Sequence, residues 1–72
     1  MEPYENLVNA IILQAVKDYR KALRKLKLNY TNTEAKRTKA EVERFFRSGW
    51  YKALTMIDGE TLIKKLQEEI NI

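Results

Sequence analysis

Twelve of the chain's 14 basic residues lie between Lys17 and Lys52, and their spacing equips this sequence for one kind of chemistry, electrostatic contact with an anionic partner. At about 100° per residue on a helix, Lys17, Arg20, Lys21, Arg24, Lys25 and Lys27 fall in one arc opposite an apolar stripe. They form a basic ridge. Lys36, Arg37, Arg44 and Arg47 repeat the arrangement on the face away from Val42 and Phe45. The two outer faces together are expected to make a surface able to contact several phosphates. A purely solvated helix face has the same pattern, and i,i+4 pairs of Arg37 with Glu41, Lys39 with Glu43 and Glu43 with Arg47 would partly neutralise the second face.

The aromatic run Phe45, Phe46, Trp50 and Tyr51, flanked by Arg44, Arg47 and Lys52, has the composition of a base-stacking platform. The competing expectation is core packing, since a domain with seven aromatics spends its Trp and Phe where each buries most area. Tyr30 and Tyr51 are then the aromatics expected at the surface. Leu13 and Leu28 fall on the charged side of the first helix, off its apolar stripe, where they can mark a partner or dimer surface.

Other chemistries lack their residues. With no His and no Cys, the chain has no disulfide and no imidazole or thiolate metal site. Ser48 has no His to activate it, two glycines supply no phosphate-cradling loop, and no carboxylate pair brackets a common point. Asp58-Gly59-Glu60 lacks the alternating acids of a calcium loop and reads as a helix cap. The expectation is a protein without catalytic residues, metal or cofactor.

The elements that must carry the basic faces are all helical. Pro3 suits a first turn, and Tyr4, Val8, Ile12, Ala15, Tyr19, Ala22 and Leu26 recur three and four apart, predicting a helix over about 3–27. Such a helix is roughly 37 Å long, so the others must pack along it. Thr31 and Glu34 fit a capping box opening a second helix over about 32–48, with Ala35, Thr38, Val42, Phe45 and Phe46 inward. Ser48-Gly49 ends it, with Gly expected to take the left-handed conformation. A short helix follows over about 50–55. Asp58 then caps a last one over about 59–70, whose buried face is Leu62, Ile63, Leu66 and Ile70. No segment alternates with the period of a strand. The prediction is a single all-α domain over 1–72, a small bundle of a long N-terminal helix packed by two or three shorter ones.

Charge is unevenly distributed along this bundle. Residues 1–16 and 53–72 are each −2, while 17–52 is +8, giving a net charge of +4. The longest apolar run, Ala10 to Leu13, is far shorter than the roughly 20 residues that span a bilayer, and the first residues are acidic where a signal peptide is basic. A cytoplasmic protein with no membrane partner is expected. A chain of 72 residues without a staple is marginally stable unless well packed or oligomeric.

The run Glu43-Arg44-Phe45-Phe46-Arg47-Ser48-Gly49-Trp50-Tyr51, followed by Ile57-Asp58-Gly59-Glu60 and Leu62-Ile63, resembles short uncharacterised proteins encoded by prophages and integrative elements of Gram-positive bacteria. Asp18-Tyr19-Arg20 shares the resemblance, which covers about half of the chain, and Met56 departs from it. The resemblance implies a mobile-element accessory protein and carries over no functional residue. Three expectations stand beside one another: nucleic-acid binding through the basic ridge, docking of the same surface on an acidic host or defence protein as a modulator or inhibitor, and a homo-oligomer paired through the long helix.

Overall fold

The apolar stripe beginning at Pro3 produces a first helix, α1, over Pro3–Leu28, the longest element of the molecule. The computed structural model describes the backbone of residues 3–70 and side chains from residue 7, so Tyr4, the first member of the predicted stripe, lies outside the described side chains. Three further helices follow: α2 over Thr33–Phe46, α3 over Gly49–Leu54 and α4 over Gly59–Ile70. No strand occurs among the described residues. The all-α bundle anticipated from periodicity is the fold observed.

α2 runs antiparallel to α1: Lys25 and Glu34 line one end of the groove between them, Ile11 and Trp50 the other. α4 then runs parallel to α1. Its first residue, Gly59, sits against the Phe46 carbonyl at the end of α2, and the Ile70 carbonyl at its other end accepts a 3.2 Å hydrogen bond from Lys27 Nζ. α2 and α4, of 14 and 12 residues, are about half the length of the 26-residue α1. They cover its C-terminal two-thirds, and the N-terminal third projects past them in a body measuring 41 × 19 × 19 Å.

The core follows from these contacts. Tyr19 and Leu23 of α1, Val42 and Phe46 of α2, Tyr51 of α3, and Ile63, Leu66 and Ile70 of α4 are buried together. Val16 and Leu23 are buried although they flank the stripe read from spacing. A helix packed from two sides, by α2 and α4, hides a wider arc than a one-sided stripe.

The caps correct the sequence reading in two places. Asn32, not Thr31, caps α2, accepting from Ala35 N at 3.0 Å, while Thr31 bonds back to the Asn29 side chain through both its amide and its hydroxyl. The capping box of Thr31 and Glu34 does not form. α2 ends at Phe46 with Arg47 at φ −94°, and Gly49 opens α3 instead of taking a left-handed conformation. The break is made by Ser48, whose hydroxyl donates to the Phe45 carbonyl at 2.7 Å and accepts from Tyr51 N at 3.1 Å. Asp58 caps α4 as expected, accepting from the amide and the hydroxyl of Thr61 at 3.0 and 2.8 Å.

The adjacent aromatics Trp50 and Tyr51 exchange their anticipated places. Tyr51 is fully buried, packed edge-to-face on Phe45 and Phe46, whereas Trp50 is 60% exposed and meets Phe45 edge-to-face. The α3 helix has one turn and a half, and it can turn only one of two neighbouring rings inward. The buried Tyr51 hydroxyl has no hydrogen-bond partner. Burial, with the Asp58 charge adding to it, raises its pKa and keeps it a neutral phenol. Tyr30 is exposed, as anticipated.

Candidate anionic-partner interface

The ten predicted cations separate into two sets once the helices pack. Arg20 turns toward α4, where its Nε and Nη2 donate to the two carboxylate oxygens of Glu69 at 2.8 and 3.1 Å. This fork fixes α4 against α1. Lys27 donates to the last described carbonyl of α4, at a helix C-terminus where a cation is favoured. Arg47 pairs with Glu60 at the start of α4 and lies 3.7 Å from Glu43. Arg20, Lys27 and Arg47 are therefore engaged with α4.

The other seven form no ion pair among the described residues. Lys17, Lys21, Arg24 and Lys25 occupy the solvent side of α1, and Lys36, Arg37 and Arg44 that of α2; all seven are exposed. Of the i,i+4 pairs anticipated on α2, Lys39 with Glu43 forms at 2.7 Å and Glu43 with Arg47 at 3.7 Å, while Arg37 does not pair with Glu41. The two basic faces do not merge into one. The groove between them is lined by Asp18, Glu34 and Glu41 as well as by Lys21 and Lys25. An extended anion crossing from α1 to α2 would pass over three carboxylates, which separate the two faces.

Glu43 is the polar centre that spacing did not single out. Its carboxylate, 14% exposed, accepts from the Tyr19 hydroxyl at 2.6 Å and from Lys39, and Gln67 Nε2 of α4 donates to the same Tyr19 oxygen at 3.1 Å. One network thus ties α1, α2 and α4. Burial alone would raise the Glu43 pKa, but the bonds from Lys39 and Tyr19 and the Lys39 and Arg47 charges outweigh it and hold the carboxyl below its ordinary 4.5. Burial and the Glu43 carboxylate push the Tyr19 phenol well above its usual range, so it stays the donor.

A group with a depressed folded pKa contributes stability that is fully present above its unfolded value and lost as pH falls through the folded one. For Glu43 the loss begins near its ordinary 4.5 and continues below it. Asp58, held down by the Thr61 hydroxyl and amide, acts in the same direction. The melting temperature is expected to be flat from pH 7 to about 5 and to fall steeply below, by circular dichroism. Glu43→Gln should flatten part of that fall; an identical acid limb in the variant would show that this network has no part in it.

At the other end of the α1–α2 groove the lining is apolar: Ile11, Ala15, Val42, Phe45 and Trp50, with Gln14, Asp18 and Glu41 at its margin. The chain matches no family model, no curated protein and no solved structure. The arrangement of side chains therefore carries the functional reading by itself. Among the described residues no group of three carboxylates could hold a metal ion, and no helix is long and apolar enough to cross a membrane.

Proposed function

We propose that this chain is a non-catalytic accessory protein that docks on nucleic acid through the outer face of α1, holding phosphates without reading bases. The observation carrying the proposal is the division of the cations. The bundle uses Arg20, Lys27 and Arg47 internally, and leaves Lys17, Lys21, Arg24 and Lys25 exposed along two successive turns with no acidic partner. From position 17 to position 25 the helix rises about 12 Å, enough for a short run of phosphates. About four phosphate contacts imply weak binding that falls with salt at a slope of about −3 to −4 on logarithmic axes. Lys36, Arg37 and Arg44, beyond the acidic seam, add to the long-range field that draws an anion in. The resemblance of the Glu43–Tyr51 run to prophage and mobile-element proteins fits an accessory role, and a cytoplasmic setting is part of the same proposal.

Replacing Lys17, Lys21 and Arg24 together by Glu tests this. Anisotropy of a labelled duplex and of a labelled single strand at low salt should show binding by the natural chain. The triple variant should lose it at least a thousandfold, about one order of magnitude or more per lost contact at low ionic strength. Its helical spectrum should be unchanged, because all three side chains are exposed. Equal affinity in the variant contradicts the proposal. A stoichiometric complex with an acidic protein, and no binding to either oligonucleotide, moves the same face to a protein partner.

A further inference from the structure

Two large side chains at the C-terminal end of α1 take no part in the core. Leu28, the last residue of the helix, is 90% exposed, and Tyr30, in the turn that follows, is 79% exposed. Tyr19, Phe45, Phe46, Trp50 and Tyr51 all pack on another ring, and Tyr30 alone among the described aromatic side chains does not. The turn that carries it is nevertheless fixed. Asn32 N donates to the Asn29 carbonyl at 3.1 Å, and Asn29 Oδ1 accepts from the Thr31 amide and hydroxyl at 3.1 and 2.7 Å. These bonds belong to the residues on either side of Tyr30. They hold its ring out in solvent, so ordering the turn adds little to the entropy lost when a partner meets the ring.

Leu28 and Tyr30 continue the cationic face. Lys17, Lys21 and Arg24 form a line along α1, and on a wheel of about 100° per residue Leu28 falls within about 20° of Lys17. The line is about 16 Å long from Lys17 to Leu28, and Tyr30 lies just beyond its end. The carbonyl end of a helix carries partial negative charge, which disfavours a phosphate at the turn and leaves that place to the neutral part of a nucleotide. The nearest carboxylate along the chain, Glu34, lines the α1–α2 groove. Trp50, the other strongly exposed ring, has the opposite setting: its groove is lined by Asp18 and Glu41 and by no cation.

We infer that the partner of this face is single-stranded nucleic acid, its phosphates along Lys17, Lys21 and Arg24 and one base stacked on Tyr30 beside Leu28. This rests on the phosphate-binding face proposed above and adds the class of strand. A duplex keeps its bases stacked on one another and offers only their edges in the grooves, so it has no open base plane for the ring. An unpaired strand has one, and stacking on an aromatic side chain tolerates any sequence because every base has a π-face. The chain then holds a strand by two means of different origin: ionic contacts that fade with salt, and a stacking contact that does not.

Anisotropy of labelled single strands, one DNA and one RNA, and of a labelled duplex tests this with the full chain. The natural chain should bind the better of the two strands more tightly than the duplex. Tyr30→Ala should weaken that strand by roughly five- to a hundredfold, with the salt slope unchanged because no cation is removed, and should leave the duplex affinity as it is. Tyr30→Phe, which keeps the ring, should bind as the natural chain does. Trp50→Ala should also leave single-strand affinity unchanged. The helical spectrum of Tyr30→Ala should be intact, since the side chain is exposed. A natural chain that prefers the duplex overturns the inference, as does a Tyr30→Ala variant that weakens strand and duplex alike. Binding of all three oligonucleotides with no effect of Tyr30→Ala overturns it and leaves the phosphate-binding face standing. Binding of none removes the face, and the stacking site with it.

Discussion

Gly59→Ala is expected to leave the chain largely unfolded at 37 °C. A Cβ at this position would lie 2.0 Å from the Phe46 carbonyl oxygen and 2.9 Å from its carbon. The obstruction is backbone, not the flexible end of a side chain, so relief requires α4 to move away from the end of α2. That movement would open the packing of Phe46 against Ile63 and Tyr51. Overpacking of this kind costs about 3 kcal/mol or more, and a domain this small has little more than that in reserve. A loss of that size lowers the melting temperature by roughly 12–24 °C. Gly49→Ala is the control: nothing lies within 4 Å of its Cβ. Its backbone is already helical, so the change should be neutral or stabilise by up to about 1 kcal/mol through the unfolded state. Thermal melts of the two variants read the difference directly, and similar melting temperatures would mean that α4 does not approach Phe46 this closely.

Tyr19→Ala should cost about 4 kcal/mol, typical of removing a buried aromatic ring. Tyr19 is fully buried, packs edge-to-face on Phe46 at 6.0 Å, and holds the hydrogen bonds to Glu43 and from Gln67. Two contributions are separable. Tyr19→Phe keeps the ring and removes the hydroxyl, at a cost of about 1.5–3 kcal/mol for a hydrogen bond to a charged group. The rest belongs to packing. In a double-mutant cycle with Glu43→Gln, the Tyr19→Phe change should show coupling of roughly 1 kcal/mol. Additive losses in denaturant melts would show that the hydroxyl and the carboxylate do not support one another.

The four helices and most of the core were legible because periodicity reports which side of a helix is dry. Ala35, Val42, Phe46, Ile63, Leu66 and Ile70 are buried where spacing placed them. What periodicity does not contain is how many neighbours a helix has, and Val16 and Leu23 were missed for that reason. The cap of α2 was misplaced by one residue because Asn29, Thr31, Asn32 and Thr33 all have cap-forming side chains; the Asn29 side chain engages Thr31 and leaves Asn32 to act.

The candidate site was legible only as a charge distribution. A helical wheel shows that Arg20, Lys27 and Arg47 avoid the core, but not that Glu69, Ile70 and Glu60 meet them from α4. Nor does it show the seam of Asp18, Glu34 and Glu41 that divides two faces which spacing alone would join. The apolar groove was hidden because Ile11 and Trp50 lie far apart in the chain. The unbroken uncharged run from Asn6 to Val16 was the local signal for it.

On the proposed function, position and not net charge makes the outer face of α1 a phosphate-binding surface. This is tested most directly by the salt dependence of oligonucleotide binding in two triple variants of equal charge. One carries Gln at Lys17, Lys21 and Arg24; the other carries Gln at Arg20, Lys27 and Arg47. The first should flatten the slope of about −3 to −4 by roughly 3. The second should leave the slope as it is while lowering the melting temperature, because those three cations are engaged with α4. Equal changes of slope in the two variants would reduce the face to a share of the overall charge and overturn its role as a phosphate-binding surface.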